Sequence, residues 1–402
     1  MKKMKALILV FTVYFSVPLQ AQQGDTTKIF RDRDSYGDLN SDAIKKGQFK
    51  GSIELPGLNV SLFIGGFIKA TAFYDTKYNQ KEEVLVPATF SAKNIDKGQF
   101  NIGARSSRLY FDARATTKKG TTVKAYIEMD YRGSPGITLR HAYLEMSDIK
   151  NRTILMGQYW SLAMDLSTIP ESLVEPTMSG AAFARHGQFR YTRPINKKTS
   201  ISISVEDPNN NDFAGVPFTA LKNLPDLLSA FHINPSKTFH FSLSGLLRFS
   251  KLRNDSSGKS YNKKGYLISS ALFIKDDKNK FGLNAVYGNA CEGYVMGSDA
   301  SFSGYLSADQ LELQNQYGGN IAFRHLWNEK FRSNIAYGIL QAGDIDAKYK
   351  TYLKRSQYFF INTFYKLNEY INMGVEWIYA SRKNNLGPRF INNRFQFGIQ
   401  IF

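Results

Sequence analysis

One cysteine, Cys291, occurs in 402 residues. A single thiol excludes an internal disulfide framework and the multi-cysteine metal patterns, and in an exported chain it reads as an incidental loop residue. Beyond the N-terminal leader no window holds ~18 uninterrupted apolar residues, so the chain has no membrane-spanning helix. The five histidines, His141, His186, His232, His240 and His325, are scattered without H-E-x-x-H spacing, and G-x-S-x-G is missing. An enzyme reading is left with pairs such as His141 and Glu145, and neither a metal site nor a cofactor is expected. Basic residues outnumber acidic ones, 52 to 34, for a net charge of +18. They form neither a block nor a basic helix, which argues against a nucleic-acid partner.

What is present begins with a leader. Lys2, Lys3 and Lys5 precede an apolar run from Ala6 to Val17 and a small residue at Ala21. This is the pattern of a signal peptide over residues 1–21, too short to span a bilayer. Removing it lowers the net charge from +18 to +15, because three lysines and no acids are lost. Residues 22–50 are polar and charged and read as a periplasmic extension.

From Leu62 onward the sequence repeats strand candidates bounded by turn residues, about 16 in all, and residues 51–402 are expected to form a transmembrane antiparallel β-barrel. The strands run Leu62–Tyr74, Ile102–Ala115, Thr121–Tyr131, Thr138–Ser147, Arg152–Trp160, Gln188–Arg193, Thr199–Glu206 and Leu227–Ile233. They continue as Thr238–Phe249, Tyr266–Lys275, Lys280–Tyr287, Tyr317–Trp327, Lys330–Leu340, Gln357–Lys366, Tyr370–Tyr379 and Ile391–Phe402. Short links such as 118–120, 196–198, 276–279 and 328–329 suit the periplasmic end. The stretches 76–100, 161–184, 207–225, 288–316, 341–356 and 381–390 suit the outer end. A soluble β-sandwich has no reason to alternate its loops this way. Tyr and Phe, 53 together against 3 Trp, gather at strand ends as interfacial girdles do. Gly65-Gly66 and Gly318-Gly319 fall inside strands, where they relieve crowding rather than cradle phosphate.

Parity assigns the faces. In the terminal strand Phe395, Phe397, Ile399 and Ile401 point one way, and Arg394, Gln396, Gly398 and Gln400 the other. Val123, Ala125, Ile127 and Met129 face lipid, with Lys124, Tyr126, Glu128 and Asp130 inward; Ile201, Ile203 and Val205 face lipid over Ser202 and Ser204. A charge on the lipid face costs ~2–4 kcal/mol at the midplane. Lys69, Arg108, Arg114, Lys124, Arg190 and Arg394 therefore belong to the lumen, a positive field that concentrates anions. Arg140 and Arg324 lie in strands that alternate poorly. Segment 161–184 is long and carries Leu162, Leu166, Ile169, Leu173 and Val174, so burial favours folding it into the barrel as a constriction. Asp165, Glu171 and Glu175 then face the basic wall across the gap, with Arg185 and a pore-lining His186 at its end.

Several segments together resemble the DcaP-like trimeric porin family: Phe49–Gly57, Ile64–Lys69, Ser107-Arg108-Leu109, Leu139–Tyr143, Met156–Ser161, Phe183–His186 and Gln188–Thr192. The likeness covers roughly residues 49–195. It implies a homotrimer of 16-stranded barrels, a constricting third loop, passage of small anionic solutes such as dicarboxylates, and Arg108, Arg140, Arg185 and Arg190 near the constriction. The short 22–48 stretch lacks heptads, unlike the longer extension of many members. The final aromatic, Phe402, is similar to the signal read by the outer-membrane barrel assembly machinery, although it falls on the side of Gln400; either it bends out at the rim or the signal is shifted. The expectation is an outer-membrane porin of a Gram-negative bacterium, embedded in lipid and passing anionic solutes through a basic lumen. The alternatives are an adhesin or surface-display barrel with a sealed lumen, or a barrel-embedded hydrolase.

Overall fold

Alternating apolar and polar residues give each strand one face for lipid and one for the lumen, and a sheet in a membrane must close so that no edge is left unpaired. In the computed structural model the described residues are 46–402, without 56, 78–82, 91–96, 134–135, 209–217, 222–223 and 300–303. The expected leader and most of the 22–50 extension lie outside them. The chain divides into two units, Met1–Phe63 and Ile64–Phe402. In the first, Ile53–Leu55 pairs antiparallel with Val60–Leu62, and Ser61 Oγ accepts from the Gln48 amide at 2.8 Å.

The second unit is a closed antiparallel barrel of 16 strands. They are β1 (Val60–Asp75, entering from the first unit), β2 (Arg108–Thr116), β3 (Thr122–Gly133), β4 (Gly136–Ser147), β5 (Thr153–Trp160), β6 (Arg185–Asn196), β7 (Thr199–Glu206) and β8 (Asp226–Ile233). The second half comprises β9 (Phe239–Asn254), β10 (Ser260–Lys275), β11 (Asn279–Gly288), β12 (Gln316–Leu326), β13 (Phe331–Ala342), β14 (Leu353–Lys366), β15 (Ile371–Asn384) and β16 (Arg389–Ile401). Each pairs with the next, and β16 returns to β1 from Arg394↔Asp75 to Ile401↔Ile68. Three short strands join the sheet: Gln99–Gly103 leads into β2, Phe218–Leu221 adds to β9, and Ile53–Leu55 belongs to the first unit. The break before β2 is filled by Glu83, whose carboxylate accepts from the Arg105 and Ser106 amides at 2.8 Å each.

The faces follow the expected parity. Ile201, Ile203, Val205, Phe395, Phe397 and Ile401 are exposed, and Ser202, Ser204, Arg394 and Gln396 are buried inward. Arg140 and His141 are both buried because β4 carries a register shift: Glu128 pairs with His141 and Met129 with Leu139, so Arg140 is the extra residue. That shift is why the alternation reads poorly there. Phe402 keeps the inward parity, with its ring edge-on to Phe67 at 6.4 Å.

Some expectations are corrected. The 381–390 stretch shrinks to residues 385–388, and β3–β4 and β9–β10 also join through short outer connections. The strands are simply longer than their apolar pattern, because polar residues above the lipid level still extend the ladder. The 288–316 loop contains a small hairpin, Gly304–Ser307 with Gln310–Leu313. Cys291 lies in the same loop, as expected. It is fully buried with Tyr294, Val295, Leu162, Leu340 and Leu353, and burial pushes its thiol up.

Candidate functional site

Segment 161–184 runs along the inner wall, held by one polar anchor after another. The Leu162 amide donates to Glu206 of β7 at 2.8 Å. Asp165 begins a short 3-10 turn, Leu166–Thr168, by accepting from the Ser167 amide at 2.9 Å, the role an aspartate has at such a start. Its other oxygen meets His240 and Ser242 of β9 at 2.5 Å each. Thr168 donates to Asn284 of β11 at 2.8 Å, and Arg332 of β13 donates to both oxygens of Glu171 at 2.6 and 2.8 Å. Glu376 of β15 accepts from Ser172 Oγ at 2.9 Å and from the Leu173 amide at 3.2 Å. Beyond Glu175 the chain meets the 289–298 loop, where Gly180 donates to Met296 and Phe183 to Tyr294, both at 2.9 Å.

Glycine makes one close approach feasible. Gly180 has φ +79, and a Cβ there would meet the Ile339 carbonyl oxygen at 2.3 Å and the Gly319 nitrogen at 2.5 Å. A Cβ on Gly338 would meet the Ser179 carbonyl oxygen at 2.3 Å. The glycines of β12 and β13 thus let a loop backbone lie directly on the wall.

Glu175 is the charged centre of the segment. It pairs with Arg132 at 2.6 Å, Arg185 at 2.7 Å, Arg140 at 3.0 Å and Arg108 at 4.0 Å. Arg140 in turn holds Glu128 at 2.7 Å and Asp130 at 2.9 Å. Burial alone raises the Glu175 carboxyl, but Arg132, Arg185 and Arg140 outweigh it and hold it well below the usual carboxylate range. Four guanidinium groups therefore surround three carboxylates, leaving one positive charge in excess. Next to this cluster four tyrosines form a row along the wall, the first pair stacked and the last edge-on. Tyr110–Tyr126, Tyr126–Tyr143 and Tyr143–Tyr159 have ring centroids 5.7, 5.4 and 4.8 Å apart. Lys124 bonds the Tyr143 hydroxyl at 2.9 Å, and Arg190 lies over the Tyr159 ring at 5.7 Å while donating to the Trp160 carbonyl.

The family model for the DcaP outer membrane protein matches residues 63–387. The chain belongs to that family. Among solved structures, the outer membrane channel DcaP of Acinetobacter baumannii superposes with a TM-score of 0.77 at 19% identity, covering 89% of this chain and 99% of that one. An anion-selective porin from Comamonas acidovorans gives 0.59 at 9% identity over 85% and 99% of the two chains. A trimer form of OmpT, an outer membrane protein of Vibrio cholerae, gives 0.51 at 10% identity over 85% and 99%. Curated proteins yield no match. This DcaP-family chain is an outer-membrane porin, a multi-pass barrel.

In this DcaP-family barrel Arg108, Arg140 and Arg185 do meet, around Glu175, and Arg190 lies along the same wall. Arg114 sits apart: it holds Asp112 at 2.6 Å, and six residues of strand place it ~20 Å from Arg108. Lys124 lies near that pair, 3.8 Å from Asp112. Lys69 lies with Glu171, Arg332 and Phe402 around a cavity of about 220 Å³. The acids do not face the basic wall across a gap as expected. Asp165, Glu171 and Glu175 each touch their partners, because unpaired carboxylates in a confined lumen cost more than paired ones. His186 lines no pore; it is buried between the Asp207 and Gly293 carbonyl oxygens at 2.9 and 3.0 Å and stacked on Tyr294. Arg132 was missed because its strand was ended at Tyr131, although its parity matches Asp130. Arg332 was missed because its inward neighbours, Asn334, Ala336 and Gly338, do not look like a pore wall.

Proposed function

We propose that this porin conducts small hydrophilic anions, dicarboxylate-like in size, and that segment 161–184 sets the size limit. The observation that carries the reading is the excess of guanidinium over carboxylate where the segment meets the wall: Arg108, Arg132, Arg140 and Arg185 against Glu128, Asp130 and Glu175. Lys69, Lys124 and Arg190 extend the positive field along the same face, so an anion moves between cations without meeting a carboxylate that lacks its own partner. Segment 161–184 is fastened at both walls and narrows the passage. The anion-selective porin from Comamonas acidovorans shares the architecture and supports the reading. A homotrimer is proposed on the same footing, as is recognition of the last strand by the assembly machinery.

The test is a reversal potential across a planar bilayer in a potassium chloride gradient at low salt, where screening is weakest. An anion-selective potential supports the proposal, and competition by succinate then ranks dicarboxylates as solutes. A cation-selective potential sinks it, and no conductance at all returns the adhesin reading.

A further inference from the structure

Sequence spacing showed no metal pattern, yet the fold brings Asp165, His232 and His240 together, with one ligand atom from each lying within 4.8 Å of the others. They come from three elements: the segment, β8 and β9. Asp165 Oδ2 lies 2.5 Å from His240 Nε2 and 3.9 Å from His232 Nδ1. The two rings are 5.8 Å apart and inclined at 33°. The side chains of Asp165 and His240 are 8% and 7% exposed and that of His232 is 25%, so the cluster is sheltered but open on one side.

The second nitrogen of His240 is held as well: Nδ1 lies 2.6 Å from Asn234 Oδ1 while Nε2 faces Asp165 Oδ2. With Nδ1–H donated to Asn234, the Nε2 lone pair is aimed at the carboxylate, placed for a cation shared between them, and the ring is fixed from behind as outer partners fix metal-bound histidines. His232 supplies the third donor without rearranging the wall, because its nearest charge is Asp165 at 3.9 Å.

We propose that Asp165, His232 and His240 bind one divalent transition-metal ion of the zinc class and so fasten the segment to the wall. Two imidazoles and one carboxylate with a fourth position toward the lumen match that class, whereas magnesium and calcium take oxygen donors. Lys280, which donates to the Ser167 carbonyl, and Arg190 add positive charge nearby. That repulsion acts on any divalent ion alike, so selectivity rests on the two imidazole nitrogens. Cys291 is buried away from the lumen and does not compete.

The experiment uses the full-length, tag-free protein in detergent, stripped with chelator and titrated with zinc ion at pH 7.5 by calorimetry. The expected result is one saturable site per chain, and 10- to 100-fold weaker binding in His232→Gln and in His240→Gln. Cobalt ion in the same site gives visible ligand-field bands that both variants lose. His232→Gln removes the most exposed side chain of the three, whose nearest approach to Asp165 is 3.9 Å, so heat-modifiable mobility on gels should match the parent and confirm folding. Absence of saturable binding overturns the proposal. Equal binding by parent and His232→Gln/His240→Gln protein overturns it as well. The proposal stands apart from anion selectivity, which the reversal potential reads separately.

Discussion

The two sides of the lumen differ in chemistry. The inner face of β2 to β6 carries Arg108, Arg114, Lys124, Arg140, Arg185 and Arg190 with a row of tyrosines. The inner face of β9 to β14 carries Ser242, Ser244, Asn284, Asn320, Asn334 and Asn362 with alanine and glycine between them. Segment 161–184 lies against the second side by short polar contacts and meets the arginines of the first through Glu175. Small neutral residues let a backbone approach, as at Gly180 on β12 and β13, whereas Arg132, Arg140 and Arg185 meet the segment through side chains. One wall carries the loop, with Arg332 and Lys280 among its anchors, and the other carries the arginine cluster around Glu175.

The largest effect should come from cutting the one acid that joins the two. Glu175→Gln leaves four guanidinium groups without their shared partner, and removing one member of a buried pair costs about 3–5 kcal/mol. The heat-modification midpoint on gels should fall and anion preference should rise; an unchanged midpoint would mean the wall, not Glu175, seats the segment. Next, Gly180→Ala places a Cβ 2.3 Å from a carbonyl oxygen at positive φ, with an expected cost of about 1–3 kcal/mol. Single-channel conductance should become larger and noisier as the segment lifts, while selectivity holds. Arg108→Gln with Arg190→Gln should lower the chloride-to-potassium permeability ratio by roughly two- to fivefold, the effect of ~0.5–1 kcal/mol of lost attraction in a hydrated site. Ser269→Ala on the neutral wall should change neither midpoint nor ratio, within about 0.5 kcal/mol; a selectivity change there breaks the comparison outright.

Acid probes the same division. Burial raises Asp165, but bonds from His240, Ser167 and Ser242 outweigh it and lower it, and Glu175 is lowered by its arginines. A carboxyl lowered in the folded state stabilises above its unfolded value of ~4 and loses that contribution as pH falls through the folded value. Docking of the segment should therefore hold from neutral pH to about 4 and weaken below it. Conductance recorded from pH 7 to pH 3 checks this, and loosening that begins on the alkaline side would contradict it.

Barrel, strand positions and facing were legible because lipid imposes strict parity on every crossing strand. The charged wall was legible for the same reason, as Arg108, Lys124 and Arg190 sit in strands that alternate well. Partners were not. Glu175 finds Arg132 across 43 positions, and Glu171 finds Arg332 across 161, and neither separation leaves a local pattern. The Asp165, His232 and His240 cluster was hidden likewise, since its members come from a loop and two strands. His186 was misread as pore-lining because it follows the inward loop, whereas the 161–184 and 289–298 loops bury each other.

The long reach of these anchors also orders events in time. Ser172 meets Glu376 across 204 positions, and Arg394 meets Asp75 across 319. Asp75 and Arg394 belong to the first and last strands, so their bond forms only when the sheet closes. The segment's resting places on β13 and β15 are likewise built late in the chain. Loop closure over such distances comes after local pairing has made its ends neighbours. Folding should thus produce first a closed but unobstructed cylinder, and the molecular sieve only afterwards.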